Sequence, residues 1–155
     1  YSDHLTENAE ESLRLEQALR EALKQEKLEV VYQPLFCLRS GRMTGAEALV
    51  RWHETGRGEI APEKLIAVAE ASSLIEDLGR FVLDRACRDA AAWQQQAPGL
   101  RVGVNISGRQ LMRHDLSELV EESLARAGLP ADCLSLELTE SSLLHDRGFT
   151  SEVLR

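Results

Sequence analysis

From residue 28 onward, short runs rich in β-branched and aromatic residues take turns with longer stretches whose apolar side chains recur every three or four positions. A chain patterned this way folds as helices against a mainly parallel sheet, because each helix has one apolar stripe to bury and each strand has faces to cover. The predicted order is β-β-α-α-β-α-β-α, an α/β architecture. Leu28 to Gln33 forms the first strand, stopped by Pro34, and Met43 to Trp52 the second, with Ser40-Gly41 as the turn of a hairpin between them. His53 to Ile60 contains Gly56 and Gly58 and reads as a loop. Pro62 opens a helix through Leu65, Ile66, Ala69 and Glu70; a longer one from about Asp77 carries Leu78, Phe81, Val82, Ala86, Ala90 and Trp93 to a stop at Pro98-Gly99. Arg101 to Ser107 is the third strand, and Asp115 caps a helix that ends at Gly128-Leu129-Pro130. Leu134 to Thr139 is the fourth strand, and Ser142 to Arg155 begins one more helix. Ahead of these elements, Leu15, Leu19, Ala22 and Leu23 mark a helix over Leu13 to Gln25, preceded by a polar, acid-rich stretch.

The 155 residues have the length of one domain. A closed (β/α)₈ barrel takes at least about 200 residues, so a chain of this pattern is expected to supply only the first part of one. With 26 acidic against 18 basic side chains, the formal charge of −8 argues against broad contact with DNA or RNA phosphates. No window reaches the roughly 20 apolar residues of a membrane helix. The start Tyr1-Ser2-Asp3 lacks both an initiator Met and a basic-then-apolar signal, so an excised piece is expected. Cys37, Cys87 and Cys133 are widely spaced, forming neither a disulfide framework nor a CxxC site, and point to a reducing cytoplasm. His4, His53, His114 and His145 lack the spacing of zinc ligands.

Strand side chains alternate between faces, and the alternation sorts the polar residues. In Val102-Gly103-Val104-Asn105-Ile106-Ser107 the apolar residues share one face, and Gly103, Asn105 and Ser107 the other. Glu137 lies between Ser135 and Thr139, opposite Leu134, Leu136 and Leu138; on the second strand Gly45, Glu47, Leu49 and Arg51 share a face. Three strands thus each present one oxygen ligand. Two carboxylates and an amide oxygen are hard donors suited to Mg²⁺, Mn²⁺ or Ca²⁺, and such ions polarise phosphoryl groups and acidify bound water. An Arg beside them suits a phosphate oxygen. The plainer reading is that these polar residues face water on a half-exposed sheet.

The stretch Glu47-Ala48-Leu49-Val50-Arg51-Trp52 resembles the signature of the EAL domain, a bacterial cyclic-di-GMP phosphodiesterase family. Tyr32-Gln33-Pro34 precedes it, and Ile60-Ala61-Pro62 through Ala69-Glu70, Val104-Asn105-Ile106-Ser107 and Glu137-Leu138-Thr139-Glu140 follow in the family's order. The resemblance implies an EAL-type TIM-like (β/α) barrel, incomplete and limited to its first half, over residues 13–155, with residues 1–12 as a linker from an upstream sensory or diguanylate-cyclase domain. It implies that Glu47, Asn105 and Glu137 ligate Mg²⁺ or Mn²⁺, with Glu47 essential to catalysis. Gln33 and Arg51 match positions that contact cyclic-di-GMP, Arg51 through a phosphate, and Glu140 matches an acidic residue supporting a loop over the metals. Glu70 and Pro62 read as helix-start and packing residues, and Trp52, Trp93 and Phe81 as core.

The family pattern continues with an Asp-Asp-Phe-Gly-Thr-Gly block, a catalytic Lys and a further Glu, none of which occurs in this sequence. The expected activity is therefore hydrolysis of cyclic-di-GMP to linear pGpG by the parent domain in a cytoplasmic setting, with this chain alone inactive. A half barrel has open strand edges, so a homodimer or a domain-swapped association is expected. The alternatives are a receptor or protein-interaction module that binds cyclic-di-GMP without cleaving it, and an α/β fragment without a ligand.

Overall fold

In a computed structural model, the backbone of residues 2–138 and the side chains of residues 9–138 are described. The elements are α1 (Ser2–Lys24), β1 (Glu29–Phe36), β2 (Met43–Glu54), β3 (Gly58–Ile60), α2 (Pro62–Ala71), α3 (Ile75–Gln94), β4 (Arg101–Ile106), α4 (Gly108–Leu111), α5 (Leu116–Ala127), a 3₁₀ turn at Ala131–Cys133, and β5 (Leu134–Leu138). The predicted elements from the first helix to the fourth predicted strand occur in the expected order, with β3, α4 and the 3₁₀ turn added, and α1 begins at Ser2 instead of Leu13, taking in the acid-rich stretch. Thr139, Glu140 and the helix expected over Ser142 to Arg155 lie outside the described residues.

The chain divides into two compact units, one formed by residues through Val31 with Val50–Phe81 and the other by Tyr32–Leu49 with residues from Val82 onward. In the first, α1 packs against α2. Leu15, Leu19 and Ala22, spaced to share one helix face, are buried there, as are Leu65 and Ala69 of α2 and Trp52 of β2. Glu11 accepts hydrogen bonds from Lys64 Nζ at 2.7 Å and Arg57 Nη1 at 3.1 Å, contacts that hold its carboxyl below the ordinary value. The segment expected to be a loop after Trp52 is instead a tight hairpin. β2 continues to Glu54 and pairs antiparallel with β3 through Trp52↔Ile60, His53↔Glu59 and Glu54↔Gly58. Gly56 and Gly58 have φ of 89° and 83°, the left-handed backbone that lets the chain reverse in so few residues.

The second unit holds the main sheet, whose path is β1-β2-β4-β5. β2 pairs parallel with β4, and β4 parallel with β5. Among the described residues the path does not close, leaving β1 and β5 as its outer strands. That position explains why β1 runs through Pro34 to Phe36 instead of stopping before it: an outer strand has one side with no ladder bond to donate, which is where proline is tolerated. Six residues join β1 to β2, and Cys37 N–H donates to Arg42 O at 2.9 Å, closing the hairpin. On β4, Val102, Val104 and Ile106 are buried, as are Ala46 and Ala48 of β2 and Leu83, Ala86, Cys87 and Ala90 of α3. Asp115 occupies the position before α5, but its carboxylate pairs with Arg113 at 2.5 Å and does not cap the helix as expected. Gly128, with φ of 66°, ends α5 in the left-handed conformation.

Two polar contacts tie helices into this unit. Tyr32 packs edge-on against Trp93 and donates its hydroxyl to Asp89 Oδ2 at 2.6 Å. Burial first, and then this bond to a carboxylate, push the Tyr32 phenol well above its ordinary value. An unfolded tyrosine ionises near pH 10, so the stabilisation is complete below about pH 10 and declines as the pH rises beyond it. Tyr32→Phe should cost about 1–2 kcal/mol at neutral pH and flatten the alkaline decline; equal slopes above pH 10 in urea titrations of the two proteins would refute this. Ser123, fully buried on α5, donates to Asp84 Oδ1 of α3 at 2.6 Å, and Arg126 Nη2 reaches the same oxygen at 3.0 Å. Ser123→Ala removes this hydrogen bond while leaving the Arg126 contact to Asp84, and should lower stability by about 1 kcal/mol, measured as a shift in the urea midpoint.

Candidate active site

Strand parity and register together build one polar patch on the main sheet. Tyr32 reaches α3, so Gln33, its neighbour on β1, faces the opposite side of the sheet, where it is exposed. Ala46 and Ala48 of β2 are buried and Glu47 between them is half-buried, directed to that same side. Asn105 alternates with buried Val104 and Ile106 on β4. Glu137 pairs in register with Asn105, and Glu47 with Gly103. The row of Glu47 therefore lies one pleat before that of Asn105 and Glu137.

The lateral offset is closed by side chains. Asn105 Nδ2 donates to Glu47 Oε1 at 2.7 Å, bridging β4 to β2. From the other side the Glu137 carboxylate lies over Gly103, in the space a Cβ at that position would fill. Glu137 thus covers Gly103 from β5, while Glu47, the register partner of Gly103 on β2, is tied to Asn105. Asn105 uses its nitrogen toward Glu47, which leaves its oxygen as the remaining polar atom of the carboxamide. The oxygen-bearing side chains brought together are two carboxylates and one amide; among the described residues no three His, Cys, Asp or Glu side chains cluster to hold a metal. That set fits Mg²⁺ or Mn²⁺, hard cations that accept one or two carboxylates and complete their shell with water and phosphate oxygens.

Arg51 stands four residues beyond Glu47 on β2, in the first compact unit. Its Nη1 donates to Val50 O at 2.9 Å and its Nε lies 3.7 Å from Glu59 Oε1 on β3. Glu140 lies outside the described residues. Of the six positions singled out in the sequence, Glu47, Asn105 and Glu137 are brought together, with Gln33 on the same sheet face. Asn105 and Glu137 are the penultimate residues of the parallel strands β4 and β5, near the C-terminal ends at which βα-barrel enzymes place their chemistry.

Two features of the site escaped sequence reasoning. Gly45, two residues before Glu47, pairs with Arg101, and a Cβ there would run into the Arg101 backbone carbonyl. Ser107, expected as the last residue of the third strand, is instead the N-cap of α4. Its hydroxyl accepts from Gln110 N at 3.3 Å while Gln110 Oε1 accepts from Ser107 N at 3.0 Å. The S-x-x-Q spacing is the legible signal of such a reciprocal cap.

Comparison with known proteins identifies the family and supports the fold. The family model described as EAL domain matches residues 16–155. The cyclic di-GMP phosphodiesterase NbdA of Pseudomonas aeruginosa is 39% identical over 147 residues, covering 94% of this chain and 19% of that protein. The bifunctional diguanylate cyclase/cyclic di-GMP phosphodiesterase MucR of the same organism is 35% identical over 147 residues, covering 94% of this chain and 22% of that protein. Among solved structures, the PaMucR phosphodiesterase in complex with c-di-GMP superposes with a TM-score of 0.79 at 36% identity, over 86% of this chain and 54% of that one. The chain thus spans about a fifth of the length of these two curated relatives.

Proposed function

Because this chain belongs to the EAL domain family, we propose that the domain to which its residues contribute hydrolyses cyclic-di-GMP to linear pGpG with the help of Mg²⁺ or Mn²⁺. The observation that carries this reading is the convergence of Glu47, Asn105 and Glu137 on one face of the parallel sheet, around Gly103. Bound by these residues, such an ion would polarise a phosphodiester and acidify a water molecule. Glu47 and Glu137 supply the negative charge that favours a cation there, and Asn105 fixes the orientation of Glu47 by donating to Oε1. Gln33 and Arg51 serve as contacts to the dinucleotide. Arg51 would exchange its long contact with Glu59 for a shorter, charge-assisted one to a phosphate oxygen. Glu140, outside the described residues, is assigned its loop-supporting role by the family resemblance alone. Hydrolysis adds water across one of the two phosphodiester bonds of the ring, giving a 5′-phosphate and a free 3′-hydroxyl.

The Asp-Asp block, the Lys and the further Glu that complete such a site do not occur in residues 1–155, so the chain alone should not turn over. The bifunctional name of MucR supports a diguanylate-cyclase or sensory domain joined through α1, which contains residues 2–12. The test is incubation with cyclic-di-GMP and Mg²⁺ or Mn²⁺, with chromatographic detection of pGpG, for this chain and for the same chain extended at its C-terminus. Product from the extended chain alone is the expected result. Product from neither, with cyclic-di-GMP still bound, would replace the enzyme by a receptor.

A further inference from the structure

Ser107 and Gln110, the first and fourth residues after β4, form a device that the hydrolytic reading does not use. Ile106 makes the last ladder pair of β4, with Leu138, and Ser107 follows in extended conformation with φ of −75° and ψ of 157°. The next element, α4, has four residues, far too few for a helix to hold itself together by propagation. What defines it is the reciprocal pair of hydrogen bonds between Ser107 and Gln110. Gln110 is only 5% exposed, and among the described residues it and Ser123 are the buried polar side chains. Burying a carboxamide is costly unless its hydrogen bonds are made, so this side chain has one well-defined place. The backbone N–H it holds lies two residues from Asn105, whose own carboxamide bridges to Glu47.

We propose that Gln110 is a positioning residue for Asn105: by holding the Ser107 N–H it fixes the end of β4, and with it the carboxamide that contacts Glu47. The metal consequence rests on the proposed hydrolytic site, whereas the orientation of Asn105 does not. Without the Gln110 acceptor, the Ser107 N–H turns to water, the end of β4 loosens, and Asn105 samples rotamers that abandon Glu47. Partners at one remove from metal ligands are typically worth about 10- to 100-fold in metal affinity.

The experiment uses Gln110→Ala and Gln110→Glu, the latter keeping an acceptor oxygen at the same reach, with Ser123→Ala as a control that lowers stability elsewhere. Gln110→Met, which removes the acceptor oxygen while filling the same buried space, serves if Gln110→Ala does not fold. Two readouts are taken on this chain: the side-chain carboxamide resonances of Asn105 by NMR without metal, and the dissociation constant for Mn²⁺. Gln110→Ala should shift or broaden the Asn105 resonances and weaken Mn²⁺ about tenfold. Gln110→Glu should restore both, and Ser123→Ala should change neither. Unaltered Asn105 resonances in Gln110→Ala, or equal changes in Ser123→Ala, would overturn the proposal. Should the unsubstituted chain bind no Mn²⁺, or Asn105→Ala bind it equally well, the metal reading fails by itself, and the resonances still decide the role of Gln110.

Discussion

Glu47→Gln is expected to abolish hydrolysis of cyclic-di-GMP by the C-terminally extended chain while leaving its fold intact. The substitution is nearly isosteric and its amide oxygen can still accept from Asn105 Nδ2, so the bridge from β4 to β2 survives. What disappears is one of the two negative charges of the proposed cation site beside Gly103. A loss of about 4 kcal/mol of transition-state stabilisation is about a thousandfold in rate, and removing a ligand from a hard-cation site acts on that scale. The paired measurements are pGpG formation and the urea midpoint. An unchanged midpoint with activity reduced at least about 10³-fold is the expected outcome, and hydrolysis at the original rate would remove Glu47 from the chemistry.

Gly45→Ala should have the largest effect on stability. Gly45 pairs in register with Arg101, and an added Cβ would meet the Arg101 carbonyl carbon at 3.0 Å and the oxygen closer still. Those are backbone atoms of a neighbouring strand held on its other side by β5, so no rotamer change relieves the overlap. Overpacking of this kind costs about 1–3 kcal/mol, which for a chain of this size lowers the melting temperature by about 2–4 °C per kcal/mol. The damage should reach function too, because the same β2–β4 pairing aligns Glu47 with Gly103. Gly103 offers the contrast. There the obstacle is the Glu137 carboxylate, the free end of a flexible side chain, so alanine should be tolerated by the strand. A Gly45→Ala protein as stable as the original would mean that the Gly45↔Arg101 register is wrong.

Much of the site could be read before any coordinates. Alternation within Val102 to Ser107 separates Asn105 from the apolar face without reference to any other strand, and the same holds for Glu47 and Glu137. The resemblance over five ordered blocks then pointed to the same residues. The periods of α2, α3 and α5 and the stop at Gly128 were equally legible, being local features, whereas α3 ends at Gln94, before the Pro98-Gly99 stop that the sequence suggests. Asp115 is an instructive miss: its residue type and position fit a cap, but Arg113 lies two residues away and takes the carboxylate.

Local periodicity assigned each residue to a strand or helix and to one of its two faces, because those assignments depend on backbone geometry that every residue carries with it. Which residues meet depended on partners distant in the chain. Pro34 lies within a strand because β1 is the outer member of the path, and residues 58–60 form a strand because β2 is there to receive them. The offset that puts Glu47 beside Gly103, the demand for glycine at Gly45, and the approach of Glu137 over β4 all come from strand register. Register is settled by packing and ladder hydrogen bonds between segments some 50 residues apart, as in the 58-residue separation of Asn105 and Glu47, and no local pattern records it.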